Sequence, residues 1–346
     1  VLFSLHHRSS QRYKGIQMPS LILGIESTAH TFGASVASTD GRILSDAKRV
    51  YVPLSGRGIH PREAAQHHSS IADAVIRDAL AEAKVSAREL DGVAVALGPG
   101  LGPALRIGAT LARAIASKLD IPLIPVHHAI GHIEIGALTT HSRDPLVVLL
   151  SGGHTTIAAF ASRRWRIYGE TEDITIGNLL DMFAREAGLA SPGGAEIERL
   201  AAKGKNFIEL PYTVKGNDVS YSGLLTAATK LLRAGRPVED LCFSVQEVSF
   251  SMLAEAVERS LAHTEKKELL LVGGVASNMA LRKKLEIVAS EHEAVFWAVD
   301  PRFAGDCGAQ ISWTGALAFG CRLFADIEHS QVKPRWRVDE VDIPWR

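Results

Sequence analysis

The sequence predicts an α/β fold built from two similar lobes. A strand–turn–strand–hairpin pattern occurs twice, starting at Leu21 and at Leu146. Each occurrence precedes alternating amphipathic and continuously apolar segments, as expected for helices that alternate with buried strands. The two turns also have similar sequences, STAHT at 27–31 and SGGHT at 151–155. Because the match recurs in the same context, it favours an internal duplication over coincidence.

The first half begins with residues 21–25, a continuous apolar run typical of a buried strand. After a polar turn, 33–37 is the second strand, and the Asp40-Gly41 hairpin signal predicts a third strand from Arg42. An amphipathic helix follows, with Ile71, Val75, Ile76, Ala79 and Leu80 on its apolar face. The remaining pattern predicts helices over 61–83 and 103–118 and strands over 93–97 and 123–126.

The second half repeats this plan. Its predicted strands are 147–150, 156–161, 166–169, 269–272 and 295–299, and its helices are 177–187, 222–234, 239–263, 278–290 and 305–324. Two such halves facing each other across a cleft are the duplicated actin-like fold, the RNase H-like architecture of sugar kinases and Hsp70. That fold uses two turns to face the phosphates of a nucleotide.

The chain is long enough to predict two lobes, since 346 residues with 46% apolar content exceed one ordinary core. We expect a disordered extension over 1–20, an N-terminal lobe over 21–126 and a C-terminal lobe over 127–304. A C-terminal helix at about 305–330 joins the N-terminal lobe. Residues 1–17 contain no acidic residue, and their apolar start is too short for a secretory signal.

Composition limits the classes of partner. Basic and acidic residues number 38 each, so a nucleic acid would have to bind a local patch. No apolar run approaches the roughly 18 residues that span a membrane. The three cysteines, Cys242, Cys307 and Cys321, form no CxxC pair, which favours reduced thiols and a cytoplasmic protein.

Three glycine-rich strand ends are candidate ligand sites. Ser151-Gly152-Gly153 predicts backbone N–H groups that approach a phosphate, with a plain tight turn as the alternative. The segment 271–278 ends a strand where open α/β sheets bind ligands, but Ser277 or Asn278 could simply cap a helix. The segment 98–103 is either an anion site at a helix start or a rigid connector.

A histidine pair is the candidate metal site. His128 and His132 are four residues apart, so on a helix they share a face and could chelate one ion; capping or core histidines are the alternative. Ala129 stands where HExxH has glutamate, so a zinc peptidase would lack its general base. Asp306, on a glycine-flanked turn, is the candidate third ligand or an ordinary N-cap. Asp181 is a further candidate acid.

The motifs together identify a family. GIESTAHT, HPREAAQHH, GPGLGPALR, HHAIGH, SGGHT, IGNLLDMFAREAGL, PGG, LPYTVKG, SYSGLLTA, GGVASN and GDCGAQ follow in this order across residues 24–310. The chain resembles the tRNA N6-adenosine threonylcarbamoyltransferases. PYTVKGNDVSYSGLLT resembles the archaeal and eukaryotic branch, the catalytic subunit of the KEOPS complex.

The resemblance implies an activity and its residues. The family transfers a threonylcarbamoyl group from threonylcarbamoyl-AMP to N6 of adenosine 37 in tRNAs that read ANN codons. It implies tRNA and KEOPS-type kinase and accessory subunits as partners, and Fe2+ rather than zinc as cofactor. By motif, the metal ligands are His128, His132 and Asp306. The substrate-binding residues are Leu149, Leu150, Ser151, Gly152, Gly153, Asp181, Gly194, Glu198 and Asn278.

Two positions depart from the family pattern. Many archaeal relatives have a tyrosine ligand two residues before the loop serine, where this chain has Leu149, and many have asparagine where it has His154. Leucine cannot bind a metal, whereas an imidazole could still form hydrogen bonds. Three other functions remain open: an ATPase or small-molecule kinase on the same fold, a metal-dependent peptidase, and a non-catalytic scaffold.

Overall fold

The computed structural model describes residues 18–53, 58–190 and 192–346. The predicted extension over 1–17 lies outside the described residues. Residues 18–20, which the predicted division includes in the extension, lie beside the first hairpin. There Ser20 donates its N–H to Thr39 Oγ1 at 3.0 Å.

The first five strands form one sheet. They are β1 Leu21–Glu26, β2 Thr31–Ser38, β3 Ala47–Val50, β4 Gly92–Gly98 and β5 Leu123–His127, in the spatial order β3-β2-β1-β4-β5. The first three are antiparallel, while β4 and β5 run parallel to β1. One face packs against α1 (Pro61–Ala83) and α2 (Gly102–Leu119) through a shared apolar cluster.

The third strand begins at Ala47 rather than at Arg42, which corrects the sequence prediction. Ile43 forms only an isolated bridge to Ala37. The Ser45 hydroxyl then accepts the Val36 N–H at 2.9 Å, so a side chain occupies a ladder position. Regular pairing resumes one register later, where Ala34 faces Ala47. The interruption is a bulge of a kind that a serine can stabilise.

A second sheet repeats the topology of the first. Its strands are β6 Leu146–Leu150, β7 Thr155–Ala161, β8 Arg164–Glu170, β11 Glu268–Val272 and β12 Val295–Ala298, in the order β12-β11-β6-β7-β8. The short strands β9 Val214–Lys215 and β10 Asp218–Val219 form a separate hairpin. The remaining helices are α3 His128–Thr140, α4 Ile176–Glu186, α5 Gly193–Ala201, α6 Ser222–Arg233, α7 Val238–Thr264, α8 Met279–Glu291, α9 Pro301–Ala304 and α10 Gly308–Gly320. The repeated strand order confirms the predicted duplicated α/β fold.

The helix α10 covers the second face of the first sheet. A Cβ at Gly24 of β1 would lie 2.1 Å from the Ser312 nitrogen, so the helix backbone rests directly on the strand. The Ser35 and Ser312 hydroxyls meet at 2.9 Å. The helix α10 also packs against α3, the helix that follows β5.

The last described residues cross from one sheet to the other. Lys333 donates its N–H to the Leu97 carbonyl at 2.7 Å, and Ile343 donates to the Arg163 carbonyl at 2.8 Å. No helix in the described part of the chain is both long and apolar enough to cross a membrane.

Candidate metal centre and substrate cleft

The helix α3 presents two histidines at its first turns. It starts directly after β5, and its N-cap His127 accepts the Ala129 N–H through Nδ1 at 3.2 Å. His128 and His132 are both buried, with ring centroids 4.7 Å apart. The i, i+4 pair therefore does share one face of a helix, as its spacing predicts.

Asp306 lies beside the two histidines, in the segment that leads into α10. The helix predicted over 305–324 is shorter and begins at Gly308, because Cys307 is extended with φ −154° and ψ 158°. Cys307, rather than Asp306, is the N-cap of α10. Asp306 Oδ1 thereby lies 3.3 Å from His132 Nε2 and 3.6 Å from His128 Nε2.

These three side chains fit a divalent metal ion. One ligand atom from each can be chosen so that all lie within 4.8 Å of one another. Among the described residues, neither ring nitrogen of His132 makes a hydrogen bond, although the ring is fully buried; its Nε2 lies 3.3 Å from Asp306 Oδ1 without hydrogen-bond geometry. Buried polar atoms are ordinarily paired, so a nitrogen placed against a carboxylate in this way indicates a ligand shared by both, such as a metal ion. Two imidazoles and one carboxylate suit iron(II) and also zinc.

The charges at the cluster are set by two carboxylates. Burial lowers the pKa of His128, but Glu26 at 2.9 Å and Asp306 raise it more, to about 9. Burial raises the pKa of Asp306, but contact with His132 and the charge of His128 hold it well below its usual range. Burial lowers the pKa of His132. A metal ion held by His128 would have to replace the proton on the coordinating ring nitrogen.

The Ser151-Gly152-Gly153 turn lies next to this cluster. The Ser151 hydroxyl accepts the N–H of Gly153 at 3.2 Å and of His154 at 3.1 Å. Burial lowers the pKa of His154 to about 3, and its ring stacks on that of His128 with centroids 6.2 Å apart. A Cβ at Gly152 would meet nothing within 4 Å, so the turn is open to a ligand.

The two residues before the turn have a different environment. The Leu149 and Leu150 side chains are buried in the core of the second sheet. Leu149 also pairs with Val272 on one side and Thr156 on the other. The exposed part of the predicted substrate loop is thus Gly152 and Gly153, while Ser151 is buried.

The other predicted substrate residues lie at, or accept hydrogen bonds from, helix N-termini. Asp181 Oδ1 accepts the Gly193 N–H at the start of α5 at 2.9 Å, and burial raises its pKa. A Cβ at neighbouring Gly194 would make only ordinary contact with Leu180. Asp181 and Gly194 are therefore adjacent.

Glu198 and Asn278 meet at the start of α8. Glu198 Oε1 accepts the Met279 N–H at 2.8 Å, and Asn278 Oδ1 accepts the Leu281 N–H at 3.1 Å. Asn278 also donates its amide to Gln246 Oε1 at 3.0 Å. Asn278 thus caps α8, the alternative weighed from sequence, and its contact with an adenylate stays a prediction.

The 98–103 segment is bound to its surroundings. Gly100 donates its N–H to the Pro334 carbonyl at 3.1 Å, and Leu101 donates to the Thr28 carbonyl at 2.7 Å. These backbone bonds favour the connector over the anion site.

Sequence reasoning missed three buried residues around His128. Glu26, Thr28 and Gln310 each have a polar atom within 3.4 Å of His128 Nδ1. The available signal was a single carboxylate at the end of the apolar strand β1. Its partner is about 100 residues away in the sequence, so no local pattern connects them.

Comparisons with known proteins show the family of this chain. The family model described as tRNA N6-adenosine threonylcarbamoyltransferase matches residues 43–313. Proteins with that name from Caldivirga maquilingensis and Thermofilum pendens are 52% and 54% identical over 325 and 326 residues. Each alignment covers 94% of this chain, and 98% and 97% of the respective relative.

Solved structures of lower identity share the fold. HypF from T. kodakarensis superposes with a TM-score of 0.60 at 16% identity, covering 87% of this chain and 48% of HypF. The activator of 2-hydroxyisocaproyl-CoA dehydratase from Clostridium difficile gives 0.53 at 12% identity, covering 90% and 97%. Both are actin-like ATPase-fold proteins, which confirms the predicted architecture.

Proposed function

Because this chain belongs to the tRNA N6-adenosine threonylcarbamoyltransferase family, and so is a transferase that modifies tRNA, we propose its specific reaction. The chain transfers the threonylcarbamoyl group from threonylcarbamoyl-AMP to N6 of adenosine 37 in tRNAs that read ANN codons. The products are N6-threonylcarbamoyladenosine and AMP. The observation that carries this proposal is the grouping of His128, His132 and Asp306 beside the open Ser151–Gly153 turn.

The reaction is an acyl transfer. The exocyclic amine of the adenine attacks the carbamoyl carbonyl, a C–N bond forms, and the bond from that carbon to the phosphate oxygen breaks. The bonding electron pair leaves with AMP, and the amine gives up one proton to solvent. An aromatic amine is a weak nucleophile, so orientation and stabilisation of developing charge dominate. The N–H group of Gly152 donates to the phosphate, while the Gly153 N–H stays bonded to the Ser151 hydroxyl. Asp181, Gly194, Glu198 and Asn278 line the remaining substrate contacts.

The metal of the proposal is Fe2+, with zinc as the second choice. His128, His132 and Asp306 hold it, and Leu149 leaves no tyrosine ligand. The bound ion would polarise the carbonyl as a Lewis acid. Two lobes supply the two sides of the cleft. The N-terminal lobe is 21–126 together with the helix at about 305–330, and the C-terminal lobe is 127–304.

The proposed partners are KEOPS-type kinase and accessory subunits, acting in the cytoplasm. The balanced charge of the chain gives no general attraction for tRNA. Two clusters of basic residues could contact tRNA, but each is partly engaged in contacts within the chain. One is Arg163, Arg164 and Arg166, and the other is Arg282, Lys283 and Lys284. Arg164 pairs with Asp342, and Lys284 pairs with Glu247. Partner subunits would supply the basic tRNA-binding surface that the balanced charge of this chain does not provide.

Nucleoside analysis tests the proposal. tRNA from a strain without the gene is digested and analysed by mass spectrometry, and N6-threonylcarbamoyladenosine should be absent and return on complementation. Incubating the purified complex with threonylcarbamoyl-AMP and unmodified tRNA should form it directly. Unchanged modified nucleoside in the deletion strain would contradict the function, and ATP turnover without transfer would favour an ATPase.

A further inference from the structure

We propose that Glu26 is the positioning residue that makes His128 a metal ligand, an inference that rests on the proposed function. Glu26 is the last residue of β1 and is fully buried. Its Oε2 lies 2.9 Å from His128 Nδ1. An ionised carboxylate only accepts hydrogen bonds, so Nδ1 carries the proton and donates. The lone pair of the neutral ring is then on Nε2, the atom that faces Asp306 at 3.6 Å.

The Glu26 carboxylate is held by donors from several elements. Its Oε1 accepts the Thr28 N–H at 2.6 Å, and Gln310 Nε2 donates to Oε2 at 3.4 Å. Gln310 Nε2 is also 3.2 Å from His128 Nδ1, but both are donors there, so the carboxylate between them accepts from each. The Gln310 side chain is itself fully buried in α10. The turn after β1, α3 and α10 thus fix one charged group in place.

The charge of Glu26 also matches a divalent ion. Glu26 and Asp306 together bring two negative charges into a buried site, and no lysine or arginine of the described residues is paired with either. Uncompensated buried charge is costly. Two neutral imidazoles and one divalent cation cancel both carboxylates. A carboxylate on the far nitrogen of a ligating histidine also raises its basicity and fixes its orientation.

The role of Glu26 is tested by measuring the metal affinity of the isolated, metal-free chain, a measurement that needs neither substrate nor an activity assay. Glu26→Gln keeps the shape and an acceptor for His128 but removes the charge. The dissociation constants of Zn2+ and of Co2+ are measured by competition with a chromophoric chelator. We expect Glu26→Gln to bind each ion about 10–100-fold more weakly than the unmodified chain. The ligand-field absorption of bound Co2+ should shift as well, since a less basic imidazole is a weaker ligand.

Glu134→Gln is the matched control. Glu134 is a buried carboxylate on the same helix α3, but it pairs with Arg346 at 2.8 Å and with Trp345 rather than with a metal ligand. The metal affinity of the Glu134→Gln variant should stay within about twofold of that of the unmodified chain. If circular dichroism shows that Glu26→Gln does not fold, Gln310→Met replaces it. That variant removes one of the three donors to Glu26 and should also weaken metal affinity.

The outcomes separate the two proposals. Equal Zn2+ and Co2+ affinity in Glu26→Gln, or in Gln310→Met where that variant replaces it, would overturn the role of Glu26 and leave the proposed function standing. An equal loss in Glu134→Gln would also overturn it, because any buried charge on α3 would then matter. A chain that binds neither ion would overturn this inference together with the metal site.

Discussion

Gly273 contacts the Leu150 carbonyl so closely that a Cβ at Gly273 would lie 2.2 Å from the oxygen. Its φ of +93° is in the region that favours glycine. This contact places the start of the 273–278 turn against the residue before Ser151. The two predicted ligand-binding turns of the second sheet are therefore fixed to each other by one glycine.

Gly273→Ala should therefore disturb both turns together. The positive φ and the backbone overlap predict a loss of stability of order 1–3 kcal/mol. Transfer activity should fall further than stability alone explains, because the Ser151–Gly153 turn would be displaced. Urea unfolding and single-turnover transfer, measured below the unfolding transition, check this. A variant as stable and active as the unmodified chain would show that the close contact is not maintained.

Gly152→Ala and Gly153→Ala probe the phosphate contact without a steric cost in the free protein. A Cβ at either position meets nothing closer than 4.0 Å. We expect unchanged stability but adenylate binding weaker by about 1–3 kcal/mol, since a methyl group at either position blocks the approach of the phosphate to the Gly152 N–H. Calorimetry with a stable adenylate analogue measures it. Gly223→Ala, in equally open space on α6, is the control and should bind normally.

Removing the metal ligands should abolish metal binding and transfer. His128→Ala, His132→Ala and Asp306→Ala each delete a proposed ligand, while the apolar clusters of both sheets stay intact. Elemental analysis of anaerobically purified protein should find iron in the unmodified chain and little in the variants. Full metal occupancy in the His128→Ala/His132→Ala double variant would refute the site, and full activity after exhaustive chelation would refute the metal's role.

Asn278→Ala should combine two effects that a second variant separates. Loss of the α8 cap should cost about 1 kcal/mol of stability. Adenylate binding should weaken by about 1–3 kcal/mol if the amide contacts the nucleotide. Asn278→Ser keeps a capping oxygen, so a binding defect shared by both variants reports the nucleotide contact. Unchanged affinity in both variants would leave Asn278 as a cap alone.

The isolated chain should bind tRNA weakly at physiological salt. Its net charge is zero, and several candidate basic residues already pair with carboxylates. Filter binding or fluorescence anisotropy should show affinity rising when the KEOPS-type subunits are added, with a steeper dependence on salt. Tight binding by the chain alone would show that the partners are not needed for tRNA capture.

Local sequence patterns predicted the helices and strands well, because the spacing of apolar residues along the chain determines each of these elements. The helix over 61–83 and the duplicated α/β plan follow from periodicity and repetition and are confirmed. The third strand was misplaced because the Ser45 hydroxyl replaces a backbone bond, which no hydropathy pattern records. His128 and His132 were predicted because both lie on one helix. Glu26 was not, because its partners His128 and Gln310 are brought to it only by tertiary packing.

The placement of α10 has a consequence for biosynthesis. This helix covers the Ile22, Ala94 and Ile124 face of the first sheet, yet it is made after the whole second sheet. While the ribosome is still elongating the chain, the nascent first sheet keeps that apolar face exposed, which is the condition in which chaperones bind. Asp306 emerges just before α10. The proposed metal site is therefore complete only late in synthesis, and ribosome-bound chains stalled before Asp306 should retain no tightly held ion.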